Sequence, residues 1–156
     1  MTHPPASVAA LELLPGVKAA CERLRGAGFL LVVATNQPDV ARGTQARRVV
    51  EEINTELCRR LPLDSVRVCY HDDADSCACR KPAPGLLLAA AADLEIDLSR
   101  SYMIGDRWGD IEAGRRAGCQ TILVGDSLGK GQIERSLVAD YYATSLVDAA
   151  DRICAG

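Results

Sequence analysis

The chain predicts an α/β fold with a mainly parallel sheet and helices on both of its faces. Three observations lead there. Short apolar runs alternate with stretches of helical apolar spacing along the sequence. The longest run, Phe29-Leu30-Leu31-Val32-Val33-Ala34, is apolar throughout rather than alternating, as suits a parallel strand covered on both faces. Two later runs both end in Gly-Asp, at Gly105-Asp106 and Gly125-Asp126.

The elements follow in order. Val17, Ala20, Cys21 and Leu24 repeat at helical spacing, and Gly26 and Gly28 lie where that helix would stop. The run from Phe29 to Ala34 is the next strand, broken by Thr35-Asn36-Gln37-Pro38. Thr44 can cap a second helix whose apolar stripe is Val49, Val50, Ile53 and Leu57. Val66 to Tyr70 reads as a short strand. Pro84 suits the first turn of a helix running to about Leu94. Tyr102-Met103-Ile104 is a strand, Ile111 to Ala117 a helix stopped by Gly118, and Thr121 to Val124 another strand. A short strand within Ala139–Ala143 and a helix from Ser145 complete the pattern.

At 156 residues the chain has the usual size of one domain, and residues 1–156 are expected to form one. A net charge of −3 and only 4% aromatic residues give neither the basic patch nor the stacking platform that nucleic-acid binding uses. No apolar run approaches the roughly 18 residues of a membrane span. The first residues, Met1-Thr2-His3-Pro4-Pro5, lack the basic and apolar regions of a secretory signal. Cys21, Cys58, Cys119 and Cys154 sit in or beside apolar patterns and are expected as buried free thiols. Together these features point to a reducing cytoplasm.

The most informative stretch is Cys69, His71, Cys77 and Cys79, a C-x-H-x5-C-x-C pattern followed at once by Arg80-Lys81-Pro82. Three thiols and an imidazole in one short loop match the ligands that tetrahedral zinc takes. Four protein ligands leave no open position, so the metal would be structural. The competing reading is a disulfide pair or a chance cluster.

In open α/β sheets, ligands bind beyond the carboxyl ends of the strands. The polar residues expected there are Thr35 and Asn36, the loop from Cys69 to Lys81, and Asp106 with Asp110. A hydroxyl, an amide, an ammonium and carboxylates on one rim suit a phosphate with Mg²⁺. Taken singly, each could be a solvated loop residue or a helix cap.

The chain resembles the haloacid dehalogenase superfamily, in its zinc-loop phosphatase subgroup. The resemblance runs from Leu14-Pro15-Gly16-Val17 to the last helix. Val33-Ala34-Thr35-Asn36-Gln37 is similar to the second family motif, Arg80-Lys81-Pro82 to the third, and Gly105-Asp106-Arg107-Trp108-Gly109-Asp110 to the fourth. It implies a Rossmann-like fold without a large cap domain and activity on a small sugar phosphate. It also implies a phosphate held by Thr35, Asn36 and Lys81, with Arg80, Gln37 and Arg42 on the substrate. Asp106 would be the Mg²⁺ ligand and Asp110 a second-shell neighbour of the metal. Ala41-Arg42-Gly43 and Lys81-Pro82-Ala83-Pro84-Gly85 favour the heptose-type branch over the histidinol-type branch.

One family motif is absent. The family opens with an apolar strand ending in D-x-D-G, whose first Asp attacks phosphorus. Here no Asp precedes Asp39, and Glu12 lies too near the Leu14-Pro15-Gly16-Val17 helix entry to take the role. The resemblance therefore predicts a domain incomplete at its N-terminal side, without its first core strand. It predicts weak Mg²⁺ binding and little or no turnover. The missing strand would be central, and each buried backbone group left unpaired costs ~1–3 kcal/mol. Ala6 to Leu13, a second copy of the chain, or a completing partner chain would have to fill the slot. The alternatives are a non-catalytic, zinc-stabilised phosphate-binding protein or a half-protein completed by a partner.

Overall fold

The structure is a computed structural model, and it describes residues 15–71, 77–125 and 139–155. The chain divides into two compact units, Met1–Cys77 and Ala78–Gly156. Ala6 to Leu13, expected to be able to fill the slot of a first strand, lies outside the described residues.

The first unit is built on two parallel strands, β1 (Val32–Asn36) and β2 (Ser65–Cys69), paired from Val32 with Ser65 to Asn36 with Cys69. A parallel pair needs a long crossover. Here it consists of a short helix, α2 (Pro38–Ala41), and a longer one, α3 (Arg47–Arg60), which packs on β2. Before them comes α1 (Val17–Gly26), which buries Ala20, Cys21 and Leu24 as its apolar spacing predicts. From α3, Val50 and Ile53 reach the core.

Three boundaries differ from the sequence reading, each for a local reason. The strand begins at Val32 rather than Phe29. Phe29 N–H still donates to Leu24 O at the end of α1 (3.2 Å), and Leu31 N–H donates to the Asp64 carboxylate (2.7 Å). Asp64 also binds the Arg25 guanidinium at 2.7 Å, so one carboxylate ties the exit of α1 to the entry of β1. The strand then runs on through Thr35 and Asn36, which were expected to break it. Finally, Thr44 does not cap α3. The cap position is Ala46, and the Thr44 hydroxyl instead donates to Asp39 O at 3.3 Å, closing the turn after α2.

The second unit holds a three-stranded parallel sheet in the order β3 (Tyr102–Gly105), β4 (Gln120–Val124), β5 (Tyr141–Ala143). Helices α4 (Gly85–Leu94), α5 (Trp108–Ala117) and α6 (Leu146–Ala155) pack with it, and a 3₁₀ turn lies at Leu98–Arg100. Asp97 starts that turn by accepting from Ser99 N–H at 3.0 Å. Helix α5 packs on β3 and β4, α6 on β4 and β5, and α4 on α5. The middle strand is buried at Thr121, Ile122 and Leu123, with Ile122 fully enclosed. Gly118, at φ 92°, ends α5 in the left-handed region where a residue without Cβ carries no penalty.

Thr121 is a buried polar residue in a strand, and its partner explains it. Asp140 accepts from both Thr121 N–H (2.8 Å) and the Thr121 hydroxyl (3.1 Å), and Asp140 N–H donates back to that hydroxyl (3.0 Å). The three bonds fasten the entry of β5 to β4. The thiols outside the metal loop divide. Cys21 is buried, Cys119 is partly buried, and Cys58 and Cys154 are exposed, against the expectation that all four are buried. Cys58 lies off the Val50–Ile53 stripe of α3, and Cys154 turns outward beside the buried Ile153. Burial pushes the Cys119 thiol up, and burial with the Glu22 charge does the same for Cys21, which keeps both protonated.

Candidate functional site

The metal loop leaves β2 at Cys69, the last residue of the strand and a fully buried one. The side-chain ligand atoms of Cys69, His71, Cys77 and Cys79 all lie within 4.8 Å of one another. Cys69 Sγ is 3.5 Å from His71 Nδ1 and 3.5 Å from Cys77 Sγ. A disulfide would bring two sulfurs to about 2.05 Å, so this pair is not bonded. For a tetrahedral zinc with Zn–S about 2.3 Å and Zn–N about 2.05 Å, ligand atoms sit about 3.8 Å apart for S···S and 3.6 Å for S···N. The two measured separations fall a few tenths of an ångström from those values, so the donor set fits zinc in type and spacing. The residues the sequence singled out are the ones the fold brings together.

Beside the first ligand, β1 presents the end of its strand. Asn36 pairs with Cys69, and Gln37 N–H donates to Cys69 O at 2.7 Å. The Gln37 amide donates to the Thr35 hydroxyl at 3.3 Å. Thr35, Asn36 and Gln37 therefore sit at the same strand end as the metal loop because the parallel register puts them there. Arg42 lies just after α2, with Asp39 at 4.0 Å.

In the second unit, Arg80 and Lys81 follow Cys79 directly. Two close approaches fix this segment. Gly85 N–H donates to Ala78 O at 3.0 Å, folding the loop back on the start of α4. A Cβ at Gly85 would lie 2.8 Å from the Cys79 Cα, so only glycine fits. Lys81 then reaches Asp110 in the first turn of α5, and its ammonium forms an ion pair with Asp110 Oδ1. The other carboxylate oxygen accepts from Arg107 N–H at 3.3 Å, which explains why α5 begins a turn earlier than its apolar spacing suggests. Asp110 is buried, whereas Asp106, just past the end of β3, is exposed.

The expected roles of the two acidic residues thus separate. Asp106 offers an exposed hard oxygen of the kind Mg²⁺ takes together with water and phosphate oxygens. Asp110 has both oxygens engaged by an ammonium and a backbone N–H. Sequence reasoning found Lys81 and Asp110 but not their pairing, and it missed the steric role of Gly85. The Pro82-Ala83-Pro84-Gly85 run was the available signal for that glycine.

Comparison with known proteins gives this arrangement a context. Residues 78–149 match the family model described as HAD-hydrolase-like. The chain is 37% identical over 164 residues to the D-glycero-D-manno-heptose-1,7-bisphosphate 7-phosphatase of Thermosynechococcus vestitus, covering 92% of this chain and 84% of that protein. The chain belongs to the haloacid dehalogenase-like hydrolases. The D-glycero-beta-D-manno-heptose-1,7-bisphosphate 7-phosphatase of Yersinia pestis is 35% identical over 88% of this chain and 79% of its own length. Among solved structures, the D,D-heptose 1,7-bisphosphate phosphatase of B. bronchiseptica, complexed with magnesium and phosphate, superposes with a TM-score of 0.86. It is 29% identical and covers 97% of this chain and 88% of its own. A family hydrolase with an α/β fold and parallel sheets is what the sequence predicted, and the zinc-type loop sits within that frame. The described residues include no helix long and apolar enough to cross a membrane.

Proposed function

We propose that this chain carries the phosphate-holding site of a phosphomonoesterase that acts on a small sugar phosphate of the heptose 1,7-bisphosphate type. The observation that carries the reading is the 37% identity, over 92% of this chain, to a protein named as a heptose-bisphosphate 7-phosphatase. In this reading Thr35 and Asn36 at the end of β1 hydrogen-bond the phosphate, and Gln37, Arg42 and Arg80 contact the rest of the substrate. Lys81 places its ammonium against the phosphate charge. Asp106 is the residue that would hold Mg²⁺. When bound, that ion neutralises charge on phosphate oxygens. With a single carboxylate offered, its binding is weak and completed by water and substrate oxygens. Zinc at Cys69, His71, Cys77 and Cys79 shapes the loop that presents Arg80 and Lys81 and takes no part in chemistry, because its four protein ligands fill a tetrahedron.

The holding residues spread charge, which is electrostatic stabilisation. They do not include the attacking group. A phosphoenzyme route needs a carboxylate aimed at phosphorus, and the family's D-x-D-G is not among the 156 residues. This observation favours a second reading beside the first, in which these residues bind a phosphorylated metabolite without hydrolysing it, or do so only with a second chain supplying the group. Calorimetric titration with heptose 1,7-bisphosphate in the presence of Mg²⁺ tests the holding role. Binding that Lys81→Ala weakens at least tenfold is expected. Equal binding by both proteins, or tighter binding of an unphosphorylated sugar, sinks the proposal.

A further inference from the structure

We infer that Tyr70 and Arg47 are positioning residues for the metal loop. The Arg47 guanidinium holds the Tyr70 ring, and through it sets Cys69 and His71 at the spacing zinc takes before the ion arrives. The inference rests on the zinc assignment and is independent of the substrate. Three observations carry it. The first is place in the chain. Tyr70 is the one residue between the ligands Cys69 and His71. Along extended backbone, residues two apart share a face and the one between them faces the other way. Cys69 Sγ and His71 Nδ1 meet at 3.5 Å, which leaves the Tyr70 ring to contact α3. The second is that contact. The guanidinium carbon of Arg47 lies 4.2 Å from the centroid of the Tyr70 ring, inside the roughly 6 Å reach of a cation–π pair. Arg47 opens α3, and its Nε donates to Glu51 one turn on at 3.1 Å, which steadies the guanidinium over the ring. The third is a gradient of burial. Cys69 is fully buried, Tyr70 half-buried and His71 exposed.

The physical consequence concerns the exposed ligand. Cys69 is fixed by its strand: it pairs with Asn36, and its carbonyl accepts from Gln37 N–H at 2.7 Å. The strand ends there, so its ladder does not carry His71. A ligand beyond the ladder must lose backbone and side-chain freedom to bind metal, and that loss opposes binding. Anchoring the neighbouring ring removes part of this freedom in the zinc-free protein. The anchor is itself well placed, because α3 packs on β2, the strand that delivers Cys69. Contacts one step outside the ligands commonly orient them and tune metal affinity. Here the contact is a surface cation–π pair, which corresponds to about a two- to fivefold change in an equilibrium constant.

The experiment is a double-mutant cycle on zinc affinity, read by competition with a chromophoric chelator, using the full chain, Arg47→Gln, Tyr70→Leu and the double variant. The Arg47 side chain is 65% exposed, so Arg47→Gln leaves the core untouched. Its lost pairing with Glu51 appears in both backgrounds and cancels. Positioning predicts a zinc affinity about two- to fivefold weaker in Arg47→Gln, with the loss vanishing in the Tyr70→Leu background. Tyr70→Phe keeps the ring and should bind zinc as the wild type does. A contact that only stabilises the fold would lower the urea midpoint of the zinc-free chain and leave zinc affinity unchanged. That result, equal losses in both backgrounds, or Tyr70→Phe as weak as Tyr70→Leu overturns the inference and leaves the metal site standing. A wild-type chain that takes up no zinc overturns both. The unmutated protein, stripped of zinc, gives a check that needs no variant. Ring currents from Tyr70 should shift the Arg47 side-chain protons upfield. Arg47 protons at solvent-like positions that move only when zinc is added refute preorganisation.

Discussion

Replacing Cys79 by serine should uncouple the stability of the chain from zinc. The loop holds four ligand atoms within 4.8 Å of one another, and the Cys69–His71 and Cys69–Cys77 separations, both 3.5 Å, lie near the edges of a zinc tetrahedron. Little rearrangement is therefore needed to bind the metal, and an unfolded chain has no such set. Metal that binds only the folded state stabilises it by about 2.7 kcal/mol when free zinc is one hundred times the dissociation constant. Each further tenfold of zinc adds about 1.4 kcal/mol. For a chain of this size 1 kcal/mol moves the melting temperature by about 2–4 °C, so the first step is worth about 5–11 °C. The assay is thermal unfolding across a series of buffered free-zinc concentrations. The wild-type midpoint should climb about 3–6 °C per decade once the site fills, and the Cys79→Ser midpoint should stay flat over the same range. A wild-type midpoint indifferent to zinc, or a Cys79→Ser variant that climbs as steeply, would falsify the metal assignment.

Other outcomes follow from single contacts. Gly85→Ala puts a Cβ 2.8 Å from the Cys79 Cα, which cannot yield without moving the loop. It should cost about 1–3 kcal/mol in denaturant unfolding and weaken zinc binding as well, whereas an unchanged zinc affinity would show the loop is set elsewhere. Thr121→Val leaves the Asp140 N–H and carboxylate without their hydroxyl partner and should destabilise by about 1–3 kcal/mol, read from the urea midpoint at constant slope. The Glu56 carboxyl is held down to about 2, first by its hydrogen bond from Arg59 and also by Arg60. Its folded value lies below an unfolded value of about 4.3, so its contribution is complete above that pH and is lost as the pH falls toward 2. The pair is on the surface, so Glu56→Gln should flatten this acid limb only slightly, and high salt should erase the difference.

What could be read from sequence was what lies close together in sequence. The zinc-type ligands fall within one loop, so their types and spacing were enough. The helix of Ala20, Cys21 and Leu24 and the buried run at β4 were legible from periodicity for the same reason. The strand at Val32 was placed three residues early because an apolar run does not record where pairing starts. Its start depends on Asp64, which lies 33 residues from Leu31. Lys81 and Asp110 are 29 residues apart, and no spacing rule announces that a lysine in one loop will meet the cap of a later helix. Thr44 looked like a cap from its type, but α2 gave its hydroxyl a nearer carbonyl. Cys58 looked buried by composition, yet the Val50 and Ile53 face was already turned to the core.

The most direct test of the account is phosphate release from a heptose 1,7-bisphosphate, measured on two proteins. One is the chain of 156 residues, and the other is the same chain with an apolar strand ending in D-x-D-G supplied ahead of Leu14. The account holds that Lys81, Thr35 and Asp106 hold and neutralise phosphate while the attacking carboxylate lies outside these residues. It predicts no release by the first protein above its Lys81→Ala control. It predicts turnover by the second that Lys81→Ala abolishes. Robust turnover by the 156 residues, lost in Lys81→Ala, would contradict the account by revealing a nucleophile within them.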